Sequence, residues 1–136
     1  MHLPRVLQLL ATGGTGGAQE SVVGLLLHLD RTRFEVEAVC LADGRTVERL
    51  HELGIGVTVI PSQDDGSTVR DLVAYLRRRK IDLLHAHLFR AELLGTRAAQ
   101  EAGTPVVVAT AHSSRVRSPA DIAALAAVTS SIDRLI

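Results

Sequence analysis

The sequence predicts an α/β domain, a Rossmann-like three-layer α/β/α arrangement in which helices cover both faces of a mostly parallel sheet. Three observations lead there. Short apolar runs alternate with longer segments of helical period along the whole chain. Runs such as Val106-Val107-Val108 are apolar on both faces, so they need cover from two sides. A length of 136 residues, with 46% hydrophobic and 22% charged residues, suits one globular domain over 1–136 with its own core.

The elements follow in order. Arg5 to Leu10 reads as the first strand, and the glycine cluster Gly13-Gly14-Thr15-Gly16-Gly17 separates it from a helix over about Ala18 to Leu29. Phe34 to Leu41 is the second strand, followed by a helix near Val47 to Leu53. Val57 to Ile60 is the third strand, stopped by Pro61 and the turn-rich Ser62-Gln63-Asp64-Asp65-Gly66. Ser67 or Thr68 is expected to cap the next helix. Its Val69, Leu72, Val73 and Leu76 share one face, leaving Arg70, Arg77, Arg78 and Lys80 in water. Ile81 to His85 forms the fourth strand, Ala91 to Ala102 a helix ended by Gly103, and Pro105 to Thr110 the fifth strand. Pro119 opens a last helix, and Ile132 to Ile136 starts a sixth strand. The chain stops inside that apolar run, as a domain cut at its edge would.

Composition narrows the function. Fifteen basic and fifteen acidic residues cancel, and Phe34, Tyr75 and Phe89 are the aromatic side chains, so there is neither a basic field nor a stacking platform for nucleic acid. Cys40 has no second cysteine to pair with and reads as a core residue. No apolar run approaches the roughly 20 residues of a spanning helix, and Met1-His2-Leu3-Pro4-Arg5 lacks a signal-peptide layout, which predicts a cytoplasmic protein. The run Arg77-Arg78-Arg79-Lys80 ends a helix and reads mainly as a solvated face; peripheral contact with anionic lipid at the inner face of the membrane is its functional alternative.

In a sheet of order 3-2-1-4-5-6, ligands bind outside the carboxyl ends of the strands, where the order reverses between strands one and four. The loops expected there carry Gly13 to Gly17, His85 to Arg90, and His112-Ser113-Ser114-Arg115; the remaining connections read as ordinary turns and caps. Glycines opening a helix suit a phosphate or other anion. The loop ends Gly17-Ala18-Gln19, which matches neither a P-loop nor the third glycine of a dinucleotide fingerprint, and a tight turn that binds nothing explains it as well. His85 and His87 share a strand face and could be a His-x-His metal pair, but Asp82 and Glu92 are their few acidic companions; hydrogen-bonding roles are favoured and no metal is expected. Arg90, Arg115 and Arg117 sit on the same rim, where arginine grips phosphate or carboxylate. No Gly-x-Ser-x-Gly elbow supplies a nucleophile.

Gly14-Thr15-Gly16-Gly17-Ala18-Gln19 after the first strand, Asp82-Leu83-Leu84-His85-Ala86-His87 at the fourth and Val108-Ala109-Thr110-Ala111-His112 at the fifth resemble the N-terminal domain of the family 4 glycosyltransferases. Arg33-Phe34-Glu35-Val36 and Gly103-Thr104-Pro105 extend the similarity over nearly the whole chain. The resemblance implies the N-terminal half of a GT-B fold, in which two Rossmann-like domains face a cleft and a sugar passes from a nucleotide diphosphate sugar to a sugar or lipid-linked acceptor, with retention and without a bound metal or permanent cofactor. It implies Gly16 and Gly17 near the donor phosphates, His112 as the catalytic residue at the reaction centre, and His87, Arg90, Ser113, Ser114 and Arg115 toward the acceptor. The family's donor-binding half carries a Glu-x7-Glu motif, and no two glutamates here are eight positions apart. That C-terminal domain is therefore expected as a partner absent from these residues, and the 136 residues alone as inactive. Alternatives are a non-catalytic module binding a phosphorylated or glycosylated ligand, and half of a nucleotide-sugar epimerase.

Overall fold

The computed structural model describes residues 2–62, 64–110, 118–120, 122–123 and 133–135. Its elements are β1 (Arg5–Leu10), α1 (Gly17–His28), β2 (Glu35–Cys40), α2 (Arg45–Glu52), β3 (Val57–Val59), α3 (Asp65–Arg79), β4 (Leu83–His87), α4 (Phe89–Ala102), β5 (Val106–Thr110) and β6 (Arg134–Leu135). The strands form one sheet in the order β3-β2-β1-β4-β5-β6, with every neighbouring pair parallel. The order thus reverses between β1 and β4, as the expected architecture requires.

Alternation along the strands divides the core into two layers. Leu7 and Leu9 of β1, Leu84 and Ala86 of β4 and Val107 of β5 pack with Leu72, Leu76, Ala91 and Leu94 of α3 and α4. Leu10, Ala38 and Cys40 face the other way, against Val22, Val23 and Leu26 of α1 and Val47 and Leu50 of α2. The α4 face is built of small residues, and a Cβ at Gly95 would stand 2.6 Å from Leu9 Cδ2, so the helix lies directly on the sheet. Gly103 closes α4 with φ 77°, the left-handed conformation expected of a C-terminal glycine. Burial pushes the Cys40 thiol up to about 11, which keeps it protonated at neutral pH and fits its core role.

Two local expectations change. The cap of α3 is Asp64, whose Oδ1 accepts from Ser67 N at 2.8 Å; the helix begins at Asp65, ahead of Ser67 and Thr68. An ionised carboxylate satisfies an orphan amide better than a hydroxyl does, and the helix dipole favours it there. β4 runs two residues past His85, because the side chain of His87 is satisfied within the sheet. The basic run is exposed at all four positions, as expected of a solvated face, but two of its arginines are also tied to the surface: Arg79 Nε donates to Glu37 Oε2 (3.0 Å), the same oxygen that accepts from Tyr75 Oη at 2.5 Å, and Arg77 donates to Glu101 O at 3.0 Å.

Candidate functional site

The strand order reverses between β1 and β4, and the glycine loop leaves the carboxyl end of β1 at that point, where ligands bind in sheets of this kind. The loop is held against the connection after β2. Gly13 N donates to Ala42 O (2.7 Å), Thr46 N to Gly13 O (2.9 Å) and Thr46 Oγ1 to Gly14 O (2.7 Å). Gly14 N in turn donates to Thr12 Oγ1 (3.1 Å). Gly13 is buried, and a Cβ there would meet Ala42 O at 2.6 Å and Val47 Cγ2 at 2.8 Å. Gly16 caps α1 and Gly17 is its first residue; both are exposed, and no side chain caps the helix. A Cβ at Gly17 would meet nothing within 4 Å. The cluster therefore divides into Gly13, which the fold requires, and Gly14 and Gly17, for which contacts within the fold give no such reason.

The loop has a partner that the sequence does not announce plainly. The β2–α2 connection, taken as an ordinary turn, brings Gly44 against Gly13 closely enough that a Cβ would strike the Gly13 backbone. The signal was present as Asp43-Gly44-Arg45-Thr46, a glycine turn opening a helix directly after an apolar strand. A cleft of about 310 Å³ lies beside this junction, lined by Thr15, Glu20, Arg45, Thr46, Glu48, Arg49 and Glu52. Arg49 pairs there with Glu20 at 2.5 Å.

On the β4 side, His85 and His87 do share a face, their ring centroids 4.0 Å apart. Each imidazole reaches a different neighbouring strand. His87, 2% exposed, donates from Nε2 to Gln8 Oε1 on β1 at 2.6 Å, and His85 Nε2 lies 2.6 Å from Thr110 Oγ1 on β5. A polar chain thus crosses β1, β4 and β5 at the carboxyl edge of an apolar sheet, each member partnered as burial demands. Gln8, 2% exposed, was a second residue the sequence reading passed over, although it interrupts an apolar run. Among the described residues no three His, Cys, Asp or Glu side chains gather as a metal site would require.

Arg90 lies in the first turn of α4, half-exposed, and reaches across to the β3–α3 connection. Its Nε donates to Ser62 Oγ at 2.7 Å and its Nη2 stands 2.9 Å from Asp65 Oδ1. His87, expected toward the acceptor, would have to give up its Gln8 bond and its burial to touch one. His112, Ser113, Ser114, Arg115 and Arg117 lie outside the described residues. Among the described residues no helix is long and apolar enough to cross a membrane.

The fold is shared with known proteins. HepE of Anabaena, solved in complex with UDP, superposes with a TM-score of 0.75 at 22% identity, over 92% of this chain and 35% of its own. MurG of Acinetobacter baumannii gives 0.74 at 16% identity, over 97% of this chain and 40% of its own. A putative UDP-N-acetylglucosamine 2-epimerase from Listeria monocytogenes gives 0.70 at 13% identity, over 100% and 39%. The chain thus spans between a third and two fifths of the length of these structures. No curated protein matches it. The glycosyl transferase 4-like domain family matches residues 16–136, from the cap of α1 through β6, and the chain belongs to that family.

Proposed function

We propose that this domain is the acceptor-side, N-terminal half of a retaining glycosyltransferase that moves a sugar from a nucleotide diphosphate sugar to a sugar or lipid-linked acceptor. The observation that carries the reading is the family match over residues 16–136, in a chain whose glycine loop and polar His85–His87 strand end meet at the switch point of the sheet. In the structures it resembles, HepE was solved with UDP and with UDP-glucose, which supports a UDP-sugar as the first donor class to try.

The roles follow from chemistry and position. Gly16 and Gly17 offer backbone amides at an uncapped helix N-terminus to the donor diphosphate. His112 hydrogen-bonds at the reaction centre as the diphosphate departs, a contribution of positioning and charge stabilisation that involves no protein nucleophile. Arg90, Ser113 and Arg115 serve the acceptor, and His87 belongs to the same side as the anchor beneath it. The donor's nucleotide is held chiefly by a C-terminal domain across the cleft, so these residues alone do not turn over. The reading places the protein in the cytoplasm, with Arg77, Arg78 and Lys80 available for peripheral contact with anionic lipid.

The test is an assay of the intact protein against a panel of nucleotide diphosphate sugars with sugar and lipid-linked acceptors, with the anomeric configuration of the product read by NMR. Acceptor-dependent transfer with retention supports the reading, and His112→Ala then lowers kcat by about 10²-fold or more. Inversion, or unchanged turnover in His112→Ala, overturns the mechanism. The likeness to the Listeria epimerase favours one alternative, which acceptor-free epimerisation of the donor would establish instead.

A further inference from the structure

β4 ends at His87 and α4 begins at Phe89, so Leu88 alone turns the chain from strand to helix. It does so with φ 76° and ψ 156°, a region of backbone space almost reserved for glycine. Among the described residues the other non-glycine with positive φ is Lys80, at φ 53° and ψ 52°, which is the ordinary left-handed end of a helix. Leu88 is therefore the unusual position, and it lies at the switch point between β1 and β4.

Both sides of the turn are fixed. Before it, His87 is buried and bonded to Gln8 on β1, and its ring stands against His85, which reaches Thr110 on β5. After it, Glu92 N donates to Leu88 O at 2.9 Å, Arg90 is tied to Ser62 and Asp65, and Gly95 seats α4 against Leu9 with no room for a methyl group. A single connecting residue that bears a Cβ has no unstrained conformation to relax into between two anchored elements. Strain of this kind persists only where the surroundings over-determine it, and it concentrates where geometry is put to use. Between the same anchors glycine would hold these angles without penalty and over a broad range, whereas a residue with a Cβ is opposed there and confined to the narrow range that its neighbours force on it.

We propose that Leu88 is a positioning residue, whose strained turn, clamped between the Gln8–His87 hydrogen bond and the first turn of α4, sets the place of Arg90 on the acceptor side of the crevice. The proposal rests on the transferase reading above. It acts through the backbone, so the nature of the side chain matters less than the presence of a Cβ.

The experiment compares Leu88→Ala and Leu88→Gly in the intact protein. Alanine keeps the Cβ and the strain while glycine removes both, and the two variants lose the same leucine packing apart from one methyl. At an ordinary position alanine is the more stable of such a pair; here Leu88→Gly melts at the higher temperature. Leu88→Ala holds the acceptor KM of the wild type within about twofold, whereas Leu88→Gly raises it by roughly tenfold with the donor KM unchanged, the scale expected when a binding group is misplaced. The Glu92 amide exchanges with solvent faster in Leu88→Gly than in Leu88→Ala. A glycine variant no more stable than the alanine variant overturns the strain. Equal acceptor KM and equal Glu92 exchange in the two overturn the positioning role. If the wild type transfers no sugar, the transferase reading falls on its own, and melting and Glu92 exchange still decide whether the turn is clamped.

Discussion

Gly13 and Gly44 meet backbone to backbone, joining the loop after β1 to the loop after β2 at the edge of the crevice. The junction is closed by Gly13 N to Ala42 O and Thr46 N to Gly13 O, so neither loop can retreat without breaking both bonds. A methyl at position 13 would sit 2.6 Å from a carbonyl oxygen, which is backbone and cannot rotate away. Gly13→Ala is therefore expected to destabilise the fold by about 1 to 3 kcal/mol, the range for overpacking a close contact. Thermal unfolding of the variant beside the wild type checks this, and an unchanged melting temperature would show that the two loops are not held together.

Acid should weaken the fold through two carboxylates at opposite ends of the sheet. Asp82 accepts from Arg5 N at 2.8 Å, and this backbone hydrogen bond holds its carboxyl below the usual value against the opposing effect of burial, with the imidazole of His2 and the charge of Arg5 adding to it. Asp64, the cap of α3, is lowered chiefly by the Ser67 amide. A folded-state pKa below the unfolded one gives stability that is full above the unfolded carboxyl pKa of about 3.9 and is lost as pH falls through the lower folded value. The melting temperature is thus expected to decline below about pH 4. Asp82→Asn should lie below the wild type at neutral pH and converge on it in acid, giving a shallower acid limb. Parallel curves for the two proteins would remove Asp82 from the account.

The layers and strand order were legible because they follow from apolar runs whose burial is forced: Leu7, Leu9, Leu84 and Val107 could only face helices. What escaped were pairings between distant residues. His87 reads as a loop histidine until Gln8 is set beside it, since each polar side chain is tolerable in the sheet only because the other satisfies it. Gly44 reads as a turn residue until Gly13 fills the space above it. The strained Leu88 was illegible for a further reason: its φ is imposed by two anchored elements, and leucine itself carries no local preference for it. Of the expected site, the glycine loop follows β1 and opens α1, and Arg90 lies in the first turn of α4 bonded to Ser62, whereas His112 and its neighbours fall outside the described residues.

Gly17 allows the donor-binding role proposed for the loop to be tested apart from its structural one. It is exposed, it is the first residue of α1, and a Cβ there meets nothing within 4 Å. The fold thus gives no reason for glycine, and alanine at this position should leave the melting temperature unchanged or slightly raised, as alanine is the better helix former. A diphosphate resting on the helix N-terminus would supply the missing reason, because glycine lets an anion approach the backbone that a methyl group would screen. Gly17→Ala in the intact protein is then expected to raise the donor KM by about tenfold, a typical penalty for one misplaced methyl in a binding site, with the acceptor KM unchanged. Gly13→Ala gives the opposite pattern, a loss of stability that follows from the contacts with Ala42 and Val47. A Gly17→Ala enzyme with wild-type donor KM would mean that the exposed end of the loop is a turn and nothing more, and the donor contact would have to be sought elsewhere along the crevice.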